Sequence, residues 1–292
     1  MTLFWRAAPA VFLILWSGGY GFAKLGLEYA EPMTLLALRY GLAVAVLVPL
    51  ALVLRPRWPD GAWHWAAVAV TGFLIQGVYF GLAYLAMKQG MNAGTTAIIM
   101  ALQPALVATA SPLIGGKRGS GLLWLGLGIG FCGVLLAVWS EGSLGPSPLA
   151  ATLLALGALG GISGATLFEK AQSRKTDPVA GGLVQYAVGF TLVAPVAMAT
   201  ESLTVDWQPG LIVALVWLVL GNSLISISLY MAMLARGDAT RISALMYVVP
   251  PLAMVMAWAL LGEPLRLLAL AGLALSALSV YVVTRPDTMR PP

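Results

Sequence analysis

Neutral polar side chains interrupt several apolar runs of this sequence, and their types suit ligand binding at depth in an apolar environment. Amides and hydroxyls donate and accept hydrogen bonds without carrying charge, so they fit a neutral or zwitterionic ligand. Aromatic and thioether side chains in the same runs could form apolar walls. The candidate binding residues are Trp16, Ser17, Tyr20, Gln76, Tyr79, Met100, Gln103, Ser163, Asn222, Ser223 and Tyr247. The alternative is that these side chains only join helices by hydrogen bonds and packing.

Ionisable side chains are almost absent from the middles of these runs. Glu169 and Lys24 lie near run ends, and Arg39 lies about one turn inside another run. We expect Arg39 to have a structural role, either paired with Glu28 or Glu31 or extended to the interface. A charge at the bilayer centre costs about 3 kcal/mol on insertion scales and is usually retained for function. The scarcity of such charges argues against a proton-relay carboxylate, a purely cationic ligand and a polyanionic ligand.

Prolines within the apolar runs predict places where helices break or kink. Pro104, Pro250 and Pro251 cannot donate backbone hydrogen bonds, so nearby carbonyls should be free to face a cavity. Such carbonyls could hold an ammonium group while amides hold a carboxylate, which favours a zwitterion or a neutral amphipath. Glycines allow helices to approach closely and slide. The candidate gating glycines are Gly18 and Gly164, and Gly164 belongs to a run with two Gly-x-x-x-Gly spacings.

Motifs for catalysis, metal binding or direct use of ATP are missing from the sequence. The glycine-rich, basic segment 115–120 lacks the Gly-Lys-Ser/Thr ending of a phosphate-binding loop. His64 is expected to be a polar residue at a membrane interface rather than a catalytic base. The single cysteine, Cys132, allows no internal disulfide and is expected to be a buried packing thiol. We expect no cofactor, no metal and no enzyme activity, with a membrane enzyme as a remaining alternative.

The composition indicates that lipid surrounds most of the chain. Of 292 residues, 60% are hydrophobic and 9% are charged. A soluble domain carries about 25% charged residues. So much apolar surface cannot be buried in one water-soluble core. The net charge of +5 does not predict a nucleic-acid partner, because the basic residues stand singly or in pairs at run ends, as in membrane proteins. The expected partners are the lipid bilayer and a small-molecule substrate.

Ten apolar runs are long enough to cross a bilayer as helices. They cover residues 9–29, 33–54, 62–87, 92–114, 121–139, 148–170, 178–200, 209–235, 240–261 and 267–284. Ten crossings put both termini on one side of the membrane. Of the 16 lysines and arginines, all fall on that side except Lys24, Arg39, Lys88 and Arg266. The positive-inside rule therefore predicts a multi-pass protein of the cell (inner) membrane with both termini in the cytoplasm.

The two halves of the sequence resemble each other. Residues 90–115 match residues 237–262, with glycine, proline and small residues at the same relative places. Because each copy has five runs, the second copy enters the membrane from the opposite side. The sequence predicts an all-α polytopic membrane protein of two inverted five-helix repeats, 1–145 and 146–292, around a central cavity. Corresponding positions include Ser17 and Ser163, Arg39-Tyr40 and Gln185-Tyr186, and Gln76 and Asn222.

Three segments, together with the duplication, resemble a known family over the whole chain. They are LILWSGGYGFAKL at 13–25, EPMTLLALRY at 31–40 and VVPPLAMVMAWALLGEPL at 248–265. They resemble the EamA-type members of the drug/metabolite transporter superfamily, and most closely the YddG-type exporters of aromatic amino acids. One departure is Gly116, which stands where the second copy has Glu263.

The resemblance implies a secondary transporter that exports small metabolites by alternating access without ATP hydrolysis. Aromatic and neutral amino acids are the favoured substrates on this resemblance. Drug-like amphipaths, nucleosides or sugars on the same scaffold are alternative substrates. A receptor or scaffold without transport is an alternative of another class, and the oligomeric state stays open, with a monomer as one possibility.

Overall fold

The computed structural model describes residues 3–110, 121–141, 148–172, 176–229, 233 and 248–283, and this part of the chain is helical and contains no strand. Two π-helical segments, π1 (Phe73–Tyr79) and π2 (Trp217–Ser226), continue α3 and α10. Each of the ten predicted runs contains helix. The helices are α1 (Leu3–Gly26), α2 (Pro32–Leu54), α3 (Gly61–Gly72), α4 (Phe80–Lys88), α5 (Ala93–Met100), α6 (Gln103–Ala110), α7 (Gly121–Glu141), α8 (Pro148–Gln172), α9 (Pro178–Thr200), α10 (Pro209–Val216), α11 (Val249–Leu261) and α12 (Leu267–Val283).

Five of the described helical segments are long and apolar enough to cross a membrane. Their outer faces carry large apolar side chains, such as Leu52, which is 74% exposed, and Met198, which is 73% exposed. A helix satisfies its own backbone hydrogen bonds, so such a surface is stable in lipid. The five segments are Pro32–Leu54, Gly61–Lys88, Leu149–Glu169, Pro178–Thr200 and Pro209–Leu229.

Helices from the two halves of the chain pack against each other. α2 packs along α9, and α7 packs along α12. α1 contacts π2 and α11, whereas α8 contacts π1 together with α5 and α6. In the duplicated sequence α1 corresponds to α8, π1 to π2, and α5 with α6 to α11. Exchanging the two halves therefore interchanges the contacts of α1 with those of α8, and it leaves the α2–α9 and α7–α12 contacts as they are.

The start of α2 lies beside the end of α9. Glu201, the residue after α9, accepts hydrogen bonds from the backbone nitrogens of Met33 at 2.8 Å and Thr34 at 2.7 Å. A carboxylate at this place satisfies backbone donors that the first turn of a helix leaves free. Glu31, the residue before α2, instead accepts from the backbone nitrogen of Ser202 at 2.7 Å. At this end of the bundle, the carboxylate after α9 thus binds the start of α2, and the carboxylate before α2 binds the segment after α9.

Prolines have different effects in the two corresponding runs, 92–114 and 240–261. The first run is broken at Ala101–Leu102, between α5 and α6 and just before Pro104. In the second run Pro250 and Pro251 stand in the first turn of α11. Proline loses no helical hydrogen bond in a first turn, so the kink predicted at these two residues is not found in the described helix. Residues 234–247, which include the candidate Tyr247, lie outside the described residues.

The two candidate gating glycines have different surroundings. A Cβ at Gly18 would come within 2.7 Å of the Trp217 ring, so the close contact of α1 with π2 requires glycine there. At Gly164 no described atom lies within 4 Å of such a Cβ, and the predicted close approach is not found. α8 approaches π1 at Gly161 instead, where a Cβ would lie 3.0 Å from the backbone nitrogen of Tyr79. The Gly-x-x-x-Gly spacing that ends at Gly161 therefore contacts π1 through that residue, and the spacing that ends at Gly164 does not.

Cys132 on α7 is exposed, so the prediction of a buried packing thiol is wrong. α7 packs on α12 through glycines near this residue: a Cβ at Gly130 would lie 2.6 Å from Ser279 Oγ, and one at Gly133 would lie 2.7 Å from Gly272 O. Glycines form this contact with α12, and the exposed Cys132 lies on another face of α7.

Candidate functional site

A cavity of about 170 Å³ lies inside the bundle, between residues of α1, α2, π1, α4, α8, α9 and π2. A space of this size is large enough for several water molecules or a small solute. The lining residues come from both halves of the chain. They are Trp16, Gly19, Tyr20, Ala23, Arg39, Ile75, Gln76, Tyr79, Phe80, Ala83, Tyr84, Met87, Ile162, Gln185, Tyr186, Asn222 and Ile227.

Five of the candidate binding residues lie on the wall of this cavity: Trp16, Tyr20, Gln76, Tyr79 and Asn222. Gln76 and Asn222 correspond in the duplication, and both stand on π-helical segments. Such segments disturb the regular backbone hydrogen bonding of a helix and recur at functional sites. At π1 the hydroxyl of Tyr40 donates to the backbone oxygen of Gln76 at 2.8 Å. The side-chain oxygen Oε1 of Gln76 has no partner among the described residues.

Ser17, Ser163, Gln103 and Met100 do not line the cavity. Ser17 and Ser163 are buried, and their hydroxyls have no hydrogen-bond partner in the described part of the chain. Gln103 donates to the hydroxyl of Thr166 at 2.8 Å and so joins α6 to α8. Met100 is buried in an apolar cluster between α5 and α8. Gln103 and Met100 therefore contribute to the packing of α5 and α6 against α8.

Arg39 supplies a charge at the cavity wall. Its side chain is only 1% exposed. Nη2 donates to Asn222 Oδ1 at 2.9 Å and to Ser223 Oγ at 3.0 Å, and Nη1 donates to the Tyr84 hydroxyl at 3.1 Å. The guanidinium carbon lies 4.3 Å from the centroid of the Phe80 ring, a cation–π contact. All these partners are neutral, and no described carboxylate lies within 4.0 Å of an Arg39 nitrogen.

This position of Arg39 differs from the sequence-based expectation. Glu31 does not pair with it, because Glu31 accepts hydrogen bonds from the hydroxyl and the backbone nitrogen of Ser202. These two bonds hold the pKa of the Glu31 carboxyl below its usual value. Glu28 is exposed. Arg39 faces inward because its side of α2 packs against the second half of the chain rather than against lipid.

The cavity wall contains corresponding positions from the two halves. Gln76 matches Asn222, and Arg39 matches Gln185, so all four members of these pairs line the cavity. Gln185 is partly buried and lines the cavity at the position of the second half that corresponds to Arg39. An ionisable residue inside a predicted span is itself a signal of function, and this signal could have identified Arg39. The sequence analysis also missed the wall residues Phe80, Tyr84, Gln185 and Tyr186.

The chemistry of the wall combines aromatic surface with one cation and several amides. The hydroxyls of Tyr20 and Tyr79 lie 3.4 Å apart, close enough for a hydrogen bond. Asn222 Nδ2 donates to the backbone oxygen of Trp16 at 3.3 Å. A solute with an apolar or aromatic body and a polar head fits these surroundings. The described residues contain no group of three or more His, Cys, Asp or Glu side chains that could hold a metal ion.

Apolar helices around a polar and aromatic cavity define a multi-pass membrane protein that can hold a small solute. The chain belongs to the EamA-like transporter family, whose model matches it twice, over residues 6–139 and 149–285. The predicted EamA-type family is therefore confirmed, and it is a family of transporters. The two matches fall on the two halves that the sequence comparison identified.

Curated relatives cover nearly the whole chain. The uncharacterized inner membrane transporter YedA of Escherichia coli strain K12 is 28% identical over 274 residues, which are 93% of this chain and 87% of that protein. The uncharacterized transporter YvbV of Bacillus subtilis is 24% identical over 277 residues, 94% of this chain and 89% of that protein. A probable amino-acid metabolite efflux pump of Salmonella typhimurium is 24% identical over 283 residues, with coverages of 92% and 91%.

A solved crystal structure has the same fold. It superimposes with a TM-score of 0.69 and covers 98% of this chain and 99% of the other chain, at 18% sequence identity. At this identity the likeness concerns the fold alone.

Proposed function

We propose that this protein is a secondary transporter that exports small metabolites by alternating access without ATP hydrolysis, with neutral and aromatic amino acids as favoured substrates. The observation that carries the proposal is a solute-sized cavity whose wall contains matched residues of the two halves, Gln76 with Asn222 and Arg39 with Gln185. In carriers built from inverted repeats, the substrate site lies where the repeats meet. The Salmonella relative, named a probable amino-acid metabolite efflux pump, supports amino acids as the substrate class.

The proposal includes a scaffold of ten membrane-spanning helices in two inverted repeats, residues 1–145 and 146–292. The ends of α1 and α8 support it. The end of α1 lies beside the turn after α11, through the Lys24–Glu263 ion pair. The end of α8 lies beside the start of α3, where Trp63 Nε1 donates to Gln172 Oε1 at 2.9 Å. Because α3 begins at the end of the bundle opposite to the end of α1, these corresponding helices finish on opposite sides.

The proposed orientation places both termini in the cytoplasm and the protein in the inner membrane. The distribution of lysine and arginine at the ends of the predicted spans supports this orientation. The name of the Escherichia coli relative, an inner membrane transporter, supports the same membrane.

Each part of the wall has a proposed role in binding. Trp16, Tyr20 and Tyr79 hold the apolar body of the solute, and Gln76 and Asn222 bind its polar head. Ser17, Ser163, Met100, Gln103, Ser223 and Tyr247 stay candidates for the same site in other states of the transport cycle. Movement occurs at the contact of Gly18 with π2 and at the helix break before Pro104, where backbone hydrogen bonds are already interrupted.

The proposal is tested with the purified protein in liposomes loaded with labelled phenylalanine. The label should leave faster than from protein-free liposomes when no ATP is present. Gln76→Ala and Asn222→Ala should each slow the flux by about tenfold, the value of one or two hydrogen bonds in a dry site. Gln89→Ala, at an exposed glutamine after α4, should leave the flux unchanged. If both cavity variants retain the normal flux, the assigned site is wrong.

Unlabelled solutes in the same assay separate the alternatives. Competition by neutral and aromatic amino acids supports the proposal. If a nucleoside, a sugar or a drug-like amphipath competes instead, the cavity is assigned to that substrate class. If no solute moves, the result supports the alternative of a receptor or scaffold without transport.

A further inference from the structure

The charge of Arg39 defines the solute more closely. We propose that the Arg39 guanidinium binds a carboxylate of the transported solute, so that the carrier selects organic monocarboxylates with an apolar or aromatic body. The amino group of an amino acid is then tolerated but not required. This inference rests on the proposed transport function and adds the group by which the solute is recognised.

The first argument is the burial of the charge. α2 begins at Pro32, and Arg39 lies seven residues further on, which is about 10 Å along the helix axis. The side chain is 1% exposed and is partnered by neutral groups within the described residues. An isolated charge at such depth is unfavourable and is usually retained for function. An anionic solute bound beside it supplies the missing counter-ion.

The second argument is the geometry of the guanidinium. Nε and Nη2 form the edge that grips a carboxylate through two parallel hydrogen bonds. In this structure both nitrogens donate to one hydroxyl oxygen, Ser223 Oγ, at 3.3 Å and 3.0 Å. A hydroxyl is a weaker acceptor than a carboxylate, so the solute can take its place. Asn222 Oδ1, which also accepts from Nη2, is displaced or shared in the same event.

The third argument is the asymmetry of the cavity wall. Among the described lining residues Arg39 is the only charged one, and none is an aspartate or glutamate. A solute carboxylate therefore has a partner of opposite charge, whereas a solute ammonium group meets neutral groups alone. The corresponding position in the second half holds the neutral Gln185. The duplicated site thus has one anion-binding side, and the rings of Phe80 and Tyr186 provide apolar surface near it.

Competition with ring-matched solutes tests the proposal in liposomes that transport labelled phenylalanine. 3-Phenylpropionate has the carboxylate without the amine, and phenylalanine amide has the amine without the carboxylate. The first should inhibit within a few-fold of unlabelled phenylalanine, and the second should be weaker by about tenfold or more, since charge-assisted pairs are the stronger hydrogen bonds. If the amide inhibits as well as the acid, the proposal is overturned.

A substitution that removes the charge but keeps a polar amide separates recognition from structure. Arg39→Gln, which reproduces the residue of the other half, should abolish the preference for the acid over the amide, and Arg39→Lys should restore part of it. Arg55→Gln, at an exposed arginine after the same helix, should leave the preference intact. If Arg39→Gln slows all solutes equally and preserves their ranking, Arg39 is a structural link between α2 and π2, and the proposal fails.

A binding measurement keeps this test separate from the test of transport. In detergent, 3-phenylpropionate should raise the unfolding temperature of the wild-type protein but not of Arg39→Gln, because ligand binding stabilises the folded state. This result without any labelled flux would support the anion site and reject transport. Flux of phenylalanine with no distinction between acid and amide would support transport and reject the anion site.

Discussion

Lys24 and Glu263 form an ion pair with a nitrogen–oxygen distance of 3.8 Å. Lys24 also donates to the backbone oxygen of Met91, and Glu263 Oε1 accepts from the backbone nitrogen of Ala93 at 3.1 Å. These contacts join the end of α1, the start of α5 and the turn after α11. Both side chains are partly buried, at 21% and 13% exposure, so solvent screens their attraction less than on an open surface. Because the first copy has Gly116 where the second has Glu263, this pair has no equivalent at the corresponding place.

A double-mutant cycle on this pair should show a favourable coupling. We expect Lys24→Gln and Glu263→Gln to couple by about 0.5–1 kcal/mol, the range of partly exposed ion pairs. The amide at 263 retains the bond to Ala93, so the cycle isolates the charge. The measurement is the unfolding temperature in detergent of the wild type, both single variants and the double variant. Strictly additive shifts would show that the two charges do not stabilise this end of the bundle.

The carboxylate of Glu201 should stabilise the start of α2. It accepts bonds from two backbone nitrogens and from the hydroxyl of Thr34, so Glu201→Ala removes three acceptor contacts. The expected loss is about 1–2 kcal/mol, the typical cost of removing a helix cap. Thermal unfolding in detergent measures it. Glu28→Ala, at an exposed carboxylate near the same end, is the matched control; an equal shift in both variants would contradict the capping role.

Two neighbouring glycines of α8 should respond oppositely to alanine. A Cβ at Gly161 would lie 2.8 Å from Val78 Cγ1 and 3.0 Å from the backbone nitrogen of Tyr79. Gly161→Ala therefore has to push α8 away from π1, and we expect a loss of about 1–3 kcal/mol, as for other overpacked sites.

Gly160→Ala provides the control within the same helix. No described atom lies within 4 Å of its added Cβ, and alanine favours a helix over glycine by up to about 1 kcal/mol. The unfolding temperature should therefore stay constant or rise. Equal destabilisation by the two substitutions would mean that the α8–π1 contact is not as close as the structure describes.

The bond between Glu31 and Ser202 should make stability depend on pH. The hydroxyl and the backbone nitrogen of Ser202 lower the pKa of Glu31 in the folded protein. A carboxyl with a lowered pKa stabilises the fold above its unfolded pKa, and this contribution disappears as the pH falls through the folded pKa. The difference in unfolding temperature between wild type and Glu31→Gln should thus be present at pH 7 and vanish well below about pH 4.

Ser202→Ala refines this prediction. It removes the hydroxyl donor but keeps the backbone donor, so it should reduce the pH-dependent difference without abolishing it. A difference between wild type and Glu31→Gln that persists unchanged in acid would show that the charge of Glu31 is not involved.

The amino-acid sequence alone determined the class of the protein, its helical runs and its family. Hydrophobic length and internal duplication are properties of the chain itself, and they require no knowledge of packing. The duplication also identified Gln76 and Asn222 as corresponding polar positions, and both prove to line the cavity. The break before Pro104 follows from the same local reasoning, because proline cannot continue the backbone hydrogen bonds.

Only the tertiary structure decided which face of each helix meets lipid, a neighbour or the cavity. Arg39 illustrates the reason: its partners Asn222 and Ser223 lie 183 and 184 residues away along the chain. The sequence near Arg39 offers Glu28 and Glu31 as partners, but the rotation of α2 against the second half of the chain turns the side chain inward. Gly161 and Gly164 differ for the same reason, since the contact with π1 depends on how two distant segments pack, and no local pattern contains that information.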